Sequence, residues 1–299
     1  MKIINNPIND GWFADPEARE YNGKYYIYVT QSFTAFEDQL NLSVFVSDDL
    51  VNWELRENIV EMGGFPWATK AIWAPTAIEQ NGKYYLVFAS NDIQSNDEVG
   101  GLELAVSDSP EGPFRACLKQ PLVGEFVNGA QPIDAHLFKD DDGAIYLYFG
   151  GWGHCNVAVM NSEMTGFVPF EDGEIFKEIT PDEYVEGPCM LKKDGLYYFM
   201  WSRGNWQNET YAVCYDTSVS PLGPFRKSGE VLKSDPAIAN GPGHHGYLEI
   251  PNSDEWLCVY HRRPLDANEH GCRVVCIDKM QIKDGKIAQV KMTNQCILG

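Results

Sequence analysis

Apolar and aromatic residues recur along this chain in short runs, each introduced by a turn residue. Four runs begin at Gly23, Gly82, Gly143 and Gly195, and a fifth, degenerate copy begins at Glu255. The first reads Gly-Lys-Tyr-Tyr-Ile-Tyr-Val-Thr, in which aromatic and β-branched residues typical of strands predominate. The starting points lie 52 to 61 residues apart, a spacing that fits one four-stranded propeller blade with its loops. Five copies therefore predict five blades.

The same glycines mark where strands turn. Asn or Asp stands directly before each of the four, as in Asn22-Gly23 and Asp142-Gly143, and such dipeptides favour the tight turn of a β-hairpin. No long window shows helical periodicity, and no linker-like segment divides the chain. We therefore expect a single catalytic domain over residues 1–299. Its predicted fold is an all-β, five-bladed β-propeller in which each blade is a four-stranded antiparallel sheet.

Composition agrees with a globular chain and narrows its partners. Of the 299 residues, 44% are hydrophobic and 13% are aromatic, which is enough for a substantial core. Asp and Glu number 43 against 23 Lys and Arg, so the formal net charge is -20. Because that charge repels phosphate backbones and anionic lipid headgroups, neither nucleic acid nor a membrane is an expected partner. A neutral substrate fits best.

Few other signals stand out along the chain. No apolar run has the length of a signal peptide or a membrane span, so we expect a cytoplasmic protein, with a secretion leader removed beforehand left open. The 8 cysteines are scattered, without a CxxC pair, and most stand in apolar, strand-like runs. We expect buried, reduced thiols rather than a disulfide framework.

The start of the innermost strand of each blade is where propeller chemistry converges, because those strands line one central channel. Counting back eight to ten residues from each aromatic run gives five short phrases: Ala14-Asp15-Pro16, Trp73-Ala74-Pro75, Ile133-Asp134-Ala135, Val185-Glu186-Gly187 and Gly243-His244-His245. Three phrases carry a carboxylate and one carries a histidine pair. Carboxylates inside apolar runs are costly unless they are paired or used, so their shared repeat position predicts a functional site.

Three carboxylates facing a neutral substrate suit cleavage of a glycosidic bond. One carboxyl group must protonate the leaving oxygen, while another activates water or attacks carbon. The acid needs a raised pKa and its counterpart must stay ionised. A third carboxylate beside the acid raises the pKa of that acid by like-charge repulsion.

The five phrases, in this order and at blade spacing, resemble glycoside hydrolase family 43 over essentially the whole chain. The resemblance implies that Asp15 is the general base for water, Glu186 the general acid, and Asp134 the residue that raises the pKa of the acid and orients it. It implies hydrolysis with inversion, for which the carboxyl groups of Asp15 and Glu186 should lie about 6.5 to 9.5 Å apart. It implies no organic cofactor, and a structural calcium ion on the propeller axis that His244 helps to hold, mostly through water.

Several other side chains are candidates for binding the sugar. By their position relative to the repeat, Phe33 and Trp73 can stack on a sugar face. Arg262 and Arg263 end the fifth aromatic run, which we interpret as an innermost strand, and one of the two is expected to hydrogen-bond sugar hydroxyls while it pairs with a carboxylate. The repeat does not distinguish between them.

The substrate follows from resemblance within the family. The phrase from Ser47 to Glu54 and the closing Tyr-His-Arg-Arg are similar to the exo-acting β-xylosidases and α-L-arabinofuranosidases. We therefore expect release of L-arabinofuranose or D-xylose from plant-type, pentose-containing oligosaccharides. An endo-arabinanase of the same fold is an alternative that requires a long open cleft. A sugar-binding propeller without catalysis is a second alternative, and it would have lost part of the carboxylate set.

Overall fold

The computed structural model describes residues 2–32, 35–250 and 253–298. The first strand, β1 (Lys2–Asn5), precedes five larger antiparallel sheets that follow one another along the chain. The first sheet contains β2 to β5: Phe13–Tyr21, Lys24–Gln31, Leu42–Ser47 and Glu54–Glu57. The second contains β6 to β9: Trp73–Gln80, Lys83–Ser90, Gly101–Ser107 and Arg115–Ala116. Short 3-10 helices cover Phe36–Asp38 and Met62–Gly64.

The remaining sheets repeat this arrangement with small changes. The third contains β10 to β14: His136–Lys139, Ile145–Phe149, Asn156–Met160, Phe167–Val168 and Lys177–Glu178. The fourth contains β15 to β18: Glu186–Lys193, Leu196–Arg203, Ala212–Ser218 and Arg226–Leu232. The fifth contains β19 to β21: Ala239–Glu249, Trp256–Pro264 and Val274–Met280. A small hairpin, β22 (Ile282–Lys283) and β23 (Lys286–Ile287), leads to β24 (Gln295–Leu298), which pairs with β1.

These five sheets form the five blades of a propeller, as the repeat predicts. The first strands of neighbouring blades contact one another around the ring: β2 with β6, β6 with β10, β10 with β15, β15 with β19, and β19 with β2. The ring is therefore closed, and its innermost strands surround one channel. No helix in the described parts of the chain is long and apolar enough to cross a membrane.

Two blades depart from the predicted four strands. In the third blade, β13 and β14 both pair with β12 and share the outer position. The fifth blade has three strands, and the N-terminal segment covers its outer edge. There the Asn6 side chain donates to the carbonyl of Ile277 at 2.9 Å and accepts from its N–H at 2.8 Å. The Ile8 N–H also donates to the carbonyl of Val275 at 3.0 Å. These bonds replace the ladder of a fourth strand.

Alternation along the aromatic runs explains how the blades pack. In β3, Tyr26 and Tyr28 face the second blade, where they join a buried cluster with residues such as Phe88. The intervening Ile27 and Val29 face the fifth blade in a separate cluster. Further clusters fill the spaces between the other blades. Because side chains point to opposite faces at each step, one strand contributes to two interfaces.

Candidate active site

In every blade the backbone is irregular at one point in or just before the first strand. One residue at each start has a positive φ, which residues other than glycine rarely adopt: Asp15 (51°), Ala74 (46°), Asp134 (55°), Gly187 (64°) and His244 (35°). In four of the blades the pairing register shifts at the same place, as in a β-bulge. Bulges of this kind re-aim side chains beside active sites. Asp15, Asp134 and His244 therefore occupy equivalent positions on three blades.

Glu186 lies one residue earlier than this shared position. In the fourth blade the left-handed residue is Gly187, so Glu186 corresponds to Trp73 of the second blade. The sequence predicted three carboxylates at one repeat position, whereas only Asp15 and Asp134 share it. Glu186 still reaches the same cavity because it is the first residue of β15.

These side chains meet in a cavity of about 370 Å³ at the mouth of the channel. Its charged lining includes Asp15, Asp134, Glu186, His244 and Arg273. Its aromatic lining includes Phe36, Trp73, Trp152 and Trp206, and the side chains of Gln39, Gln131 and Gln207 add amide groups. Aromatic walls with a few convergent polar groups are typical of a site for a small molecule, and this volume is at the small end of such sites.

Asp15 is buried among positively charged and hydrogen-bonding groups. Arg273 Nη1 lies 3.1 Å from Oδ1, and His244 Nδ1 lies 3.7 Å from the same oxygen. The Thr30 hydroxyl donates to Oδ2 at 2.8 Å. Burial by itself raises the pKa of Asp15, but the charges of Arg273 and His244, together with the contact to His261, hold that pKa well below its usual range. Asp15 is therefore ionised at neutral pH.

Glu186 has the opposite surroundings. Its hydrogen-bond partner is neutral, since the Tyr211 hydroxyl donates to Oε1 at 2.9 Å. Burial raises the pKa of Glu186 and the neighbouring charge of Asp134 raises it further, to about 7. A carboxyl group with this pKa can hold a proton near neutral pH and also release it. The two carboxyl groups in one cavity thus differ in charge because their neighbours differ.

Two neighbours, His261 and Gly243, fix the position of the Tyr211 ring. One face stacks on His261, with ring centroids 5.9 Å apart and the planes at 7°. At its edge lies Gly243, where an added Cβ would come within 1.9 Å of the ring carbon Cε1. Only glycine leaves room for the tyrosine there. Sequence reasoning missed Tyr211 because an isolated tyrosine in a tyrosine-rich chain gives no signal of its own.

His244 links the two aspartates of the cavity. Its Nδ1 lies 3.2 Å from Asp134 Oδ2, and its backbone N–H donates to the Ser202 hydroxyl at 2.9 Å. Burial lowers the pKa of His244, but the charges of Asp134 and Asp15 raise it to about 9. The imidazole is therefore a cation at neutral pH. It offsets part of the negative charge that Asp134 and Asp15 bring together.

The predicted aromatic residues fall partly within the described structure. Trp73 lines the cavity, donates its indole N–H to Gln39 Oε1, and meets Phe36 edge to face at 4.9 Å. Phe33 lies outside the described residues. Two further aromatic groups, which the repeat did not indicate, line the cavity: Trp152 and Trp206. Their positions depend on loops that differ from blade to blade.

Arg262 and Arg263 do not belong to the described lining of the cavity. They end β20, which is the second strand of its blade rather than the innermost one. Arg262 is 4% exposed and donates to the Thr293 carbonyl at 2.9 Å, and Arg263 donates to the Gln207 carbonyl at 2.5 Å. The arginine that reaches the cavity and pairs with a carboxylate is Arg273, directly before β21.

The residues near His244 do not fit the calcium ion that the family resemblance implies. His244 Nδ1 already lies 3.2 Å from Asp134 Oδ2 and 3.7 Å from Asp15 Oδ1, so this nitrogen is directed at two carboxylates. Among the described residues, no group of three His, Cys, Asp or Glu side chains is placed to hold a metal ion. Backbone oxygens deeper in the channel, the ligand type that calcium prefers, already accept hydrogen bonds from Arg19.

A match to a known protein family identifies the family of this chain. Residues 4–287 match the family described as glycosyl hydrolases family 43. The chain belongs to that family. As a family 43 glycoside hydrolase it acts on glycosidic bonds, and the closed five-bladed ring with Asp15, Asp134 and Glu186 in one cavity agrees with that activity.

Individual relatives share most of the length of the chain. It is 37% identical to the β-D-galactofuranosidase xynD of Aspergillus niger over 98% of this chain and 87% of that protein. It is 30% identical to xylosidase/arabinosidase 43A of Humicola insolens over 95% of this chain and 98% of that protein. Among solved structures, the β-xylosidase/α-arabinofuranosidase CoXyl43 from a compost microbial metagenome superposes with a TM-score of 0.78 at 26% identity and covers 96% of each chain. That enzyme was solved with xylotriose in a calcium-free form.

Proposed function

We propose that this family 43 glycosidase releases terminal α-L-arabinofuranosyl or β-D-xylosyl units from neutral, pentose-containing oligosaccharides with inversion. One observation carries the proposal: a single small cavity holds a carboxylate that is ionised, Asp15, and a carboxyl group that retains its proton near neutral pH, Glu186. Hydrolysis of a glycosidic bond by two carboxyl groups requires one group of each kind, and inversion is the course that the resemblance to family 43 implies.

In the proposed reaction, Glu186 gives its proton to the glycosidic oxygen as the bond to the anomeric carbon breaks. Asp15 takes a proton from the water that attacks that carbon from the other side. The product carries the inverted anomeric configuration, and Glu186 and Asp15 exchange protons with solvent before the next turnover. The separation of about 6.5 to 9.5 Å between the two carboxyl groups stays a prediction of this mechanism.

The other charged groups set the properties of these two. Asp134 raises the pKa of Glu186 by its negative charge, while His244 and Arg273 favour the ionised form of Asp15. The Arg273 guanidinium also lies 5.1 Å from the centre of the Trp206 ring. This cation–π contact helps to position the arginine at the cavity wall. We assign to Arg273 the sugar-binding role that the sequence suggested for Arg262 or Arg263.

The aromatic walls support an exo mode of action. Trp73 and Trp206 offer faces inside the cavity for the sugar that is released. Trp152 is 53% exposed and rests on Phe126 with ring centroids 4.8 Å apart, which suits the next sugar along the chain. A cavity of about 370 Å³ accommodates the end of an oligosaccharide more readily than the middle of a polymer.

A β-D-galactofuranoside is a second candidate substrate, favoured by the relative from Aspergillus niger that is 37% identical. The ring of β-D-galactofuranose has the same configuration as that of α-L-arabinofuranose and carries one additional hydroxymethyl group. Discrimination between the two therefore depends on space around one substituent. Such a difference is worth about 1 to 3 kcal/mol in a pocket of this kind.

The test compares p-nitrophenyl α-L-arabinofuranoside, β-D-xyloside and β-D-galactofuranoside with linear arabinan, using product chromatography. We expect turnover of the arabinofuranoside or the xyloside and monosaccharide as the product from oligosaccharides. Proton NMR of the first product should show the inverted anomer. Oligosaccharide products from arabinan alone would overturn the exo assignment, and the retained anomer would overturn the mechanism.

The Glu186→Gln variant is the matched control for this panel. It keeps the size of the side chain and can still accept the hydrogen bond from Tyr211, but it has no acidic proton to transfer to the leaving oxygen. Release of sugar from an unactivated oligosaccharide should disappear with this variant. Near-normal release of sugar from an unactivated oligosaccharide by this variant would remove Glu186 from the acid role.

A further inference from the structure

A second charged cluster lies deeper in the channel, below the catalytic cavity. It consists of Glu17 and Arg19 on β2 and His136 on β10, and we call it the axial cluster. Glu17 and His136 are 5% and 1% exposed, and the Arg19 side chain is 14% exposed. None of the three belongs to the described lining of the cavity. The cluster is therefore separate from the groups that carry the proposed reaction.

Arg19 binds backbone oxygens from three blades. Its Nε donates to the carbonyl of Ala77 on β6 at 2.7 Å, and its Nη2 donates to the carbonyl of Leu137 on β10 at 2.8 Å. Its Nη1 donates to the carbonyl of Ala18 at 3.2 Å and forms an ion pair with Glu17. A guanidinium thus lies among three carbonyl oxygens and one carboxylate.

His136 extends these links to the fourth blade, and Gly246 packs the fifth blade against β2. His136 Nδ1 lies 3.2 Å from Glu17 Oε2, and its Nε2 lies 3.2 Å from the Met190 carbonyl on β15. On the fifth blade, Gly246 of β19 packs directly on β2, since an added Cβ would meet the backbone nitrogen of Ala18 at 2.9 Å. All five innermost strands are therefore tied to one another at this level.

A metal ion at this level would use the same oxygens. Calcium prefers carboxylate and backbone carbonyl ligands, and the donor set of Ala18, Ala77, Leu137 and Glu17 is of that kind. Each of these groups already faces Arg19. A second cation placed here would also be repelled by the guanidinium at short range.

We propose that Arg19 is an internal cation that takes the place of a metal ion on the propeller axis, so that this chain folds and remains stable without calcium. The geometry supplies what a structural ion would supply: one positive charge, oxygen contacts to several blades, and an ion pair with Glu17. This inference concerns stability and metal content and does not depend on the substrate.

The first part of the test uses the unmodified protein. We expect no stoichiometric calcium in elemental analysis of the purified chain after dialysis against a calcium-containing buffer. The melting temperature should be the same in EDTA and in excess calcium. Bound stoichiometric calcium, or a fall in melting temperature with EDTA that calcium reverses, would overturn the proposal even if no glycosidase activity were found.

The second part asks whether removing the arginine creates a cation site. The Arg19→Ala variant leaves the Glu17 carboxylate without its guanidinium partner, with His136 still beside it, among vacated carbonyl oxygens. Its melting temperature should therefore fall by roughly 10 °C. Calcium should restore part of that loss. The control is Arg115→Ala, which removes an exposed arginine paired with Glu61 and should show no response to calcium.

The outcomes of the second part are also decisive. Failure of calcium to raise the melting temperature of a folded Arg19→Ala protein would contradict the claim that Arg19 fills a cation site. If that variant does not fold, the double variant Glu17→Gln, Arg19→Met removes the unpaired charge and is expected to fold without a calcium response. A calcium response in the double variant would contradict the role of the Glu17 carboxylate as a ligand.

Discussion

Asp15 and Glu17 lie two residues apart on β2, and both are buried carboxylates, yet their surroundings differ. Asp15 faces the catalytic cavity, where Arg273 and His244 approach one of its oxygens. Glu17 faces the axial cluster, and Arg19 and His136 approach it from within the channel. Burial opposes ionisation in both cases, and the surrounding charges lower the pKa of each.

Asp15 and Glu17 show that an ionised carboxylate is not necessarily a catalytic one. A lowered pKa keeps both carboxyl groups ionised at neutral pH, so ionisation alone does not mark a catalytic base. What distinguishes Asp15 is the left-handed backbone at φ 51°, which turns its side chain to the open cavity. Glu17 follows the bulge and points into a closed set of partners. We infer that access to substrate and water, rather than charge, assigns the roles.

The largest expected effect comes from exchanging each carboxylate for its amide. Asp15→Asn should lower kcat by about 10²- to 10⁴-fold, because the attacking water loses its base. Glu17→Gln should leave kcat per folded molecule within a few fold and should destabilise the protein by about 3 kcal/mol, because Arg19 is left buried and unpaired. Steady-state kinetics and urea unfolding of both variants measure this division. A stable Glu17→Gln protein without activity would reverse our assignment.

A smaller effect distinguishes the two arginine positions of the fifth blade. Arg273→Ala should lower kcat/KM by about 10- to 100-fold, since it removes a charged hydrogen bond to Asp15 and a donor at the cavity wall. Arg262→Ala should leave kcat/KM near that of the unmodified protein and lower stability, because it removes the bond to the Thr293 carbonyl. If Arg262→Ala raised KM while Arg273→Ala did not, the original sequence assignment would be restored.

The smallest effect concerns the partner of the acid. Tyr211 donates to Glu186, and a donor favours the ionised form, so Tyr211→Phe should raise the pKa of Glu186 further. Glu186 must be protonated to act, and activity is lost as pH rises through its pKa. The basic limb of the kcat/KM profile should therefore move to higher pH, with kcat reduced by about tenfold or less. A purely structural role for Tyr211 would lower kcat without moving that limb.

Much of the fold follows from the sequence, because each blade repeats the same physical requirement. The second strand of each blade packs against both neighbouring blades. The aromatic run beginning at Gly23 therefore recurs in recognisable form. The strand number of the fifth blade could not be read in this way. Its outer edge is completed by Asn6, which is 271 residues distant from Ile277 along the chain. No local pattern records a contact of that length.

In the active site, too, some residues can be predicted from a local pattern and others cannot. Asp15 and Asp134 were visible because a carboxylate inside an apolar run is unusual wherever it occurs. No sequence pattern indicates Arg273, because it lies in the loop between β20 and β21 and meets Asp15 where the ring closes. The sequence favours Arg262 or Arg263 instead, because the fifth aromatic run resembles an innermost strand. In the structure β19 has that position, so Arg262 points to the Thr293 segment.

The central claim is that neighbouring groups divide the cavity carboxyls into an ionised base and a protonated acid. Difference infrared spectroscopy of the unmodified protein against Glu186→Gln tests it directly, by following the carbonyl band of a protonated carboxylic acid as pH changes. We predict a band that belongs to Glu186 and disappears as pH rises through about 7. Loss of that band near the ordinary pKa of a glutamate, or a band at neutral pH that disappears with Asp15→Asn, would contradict the account.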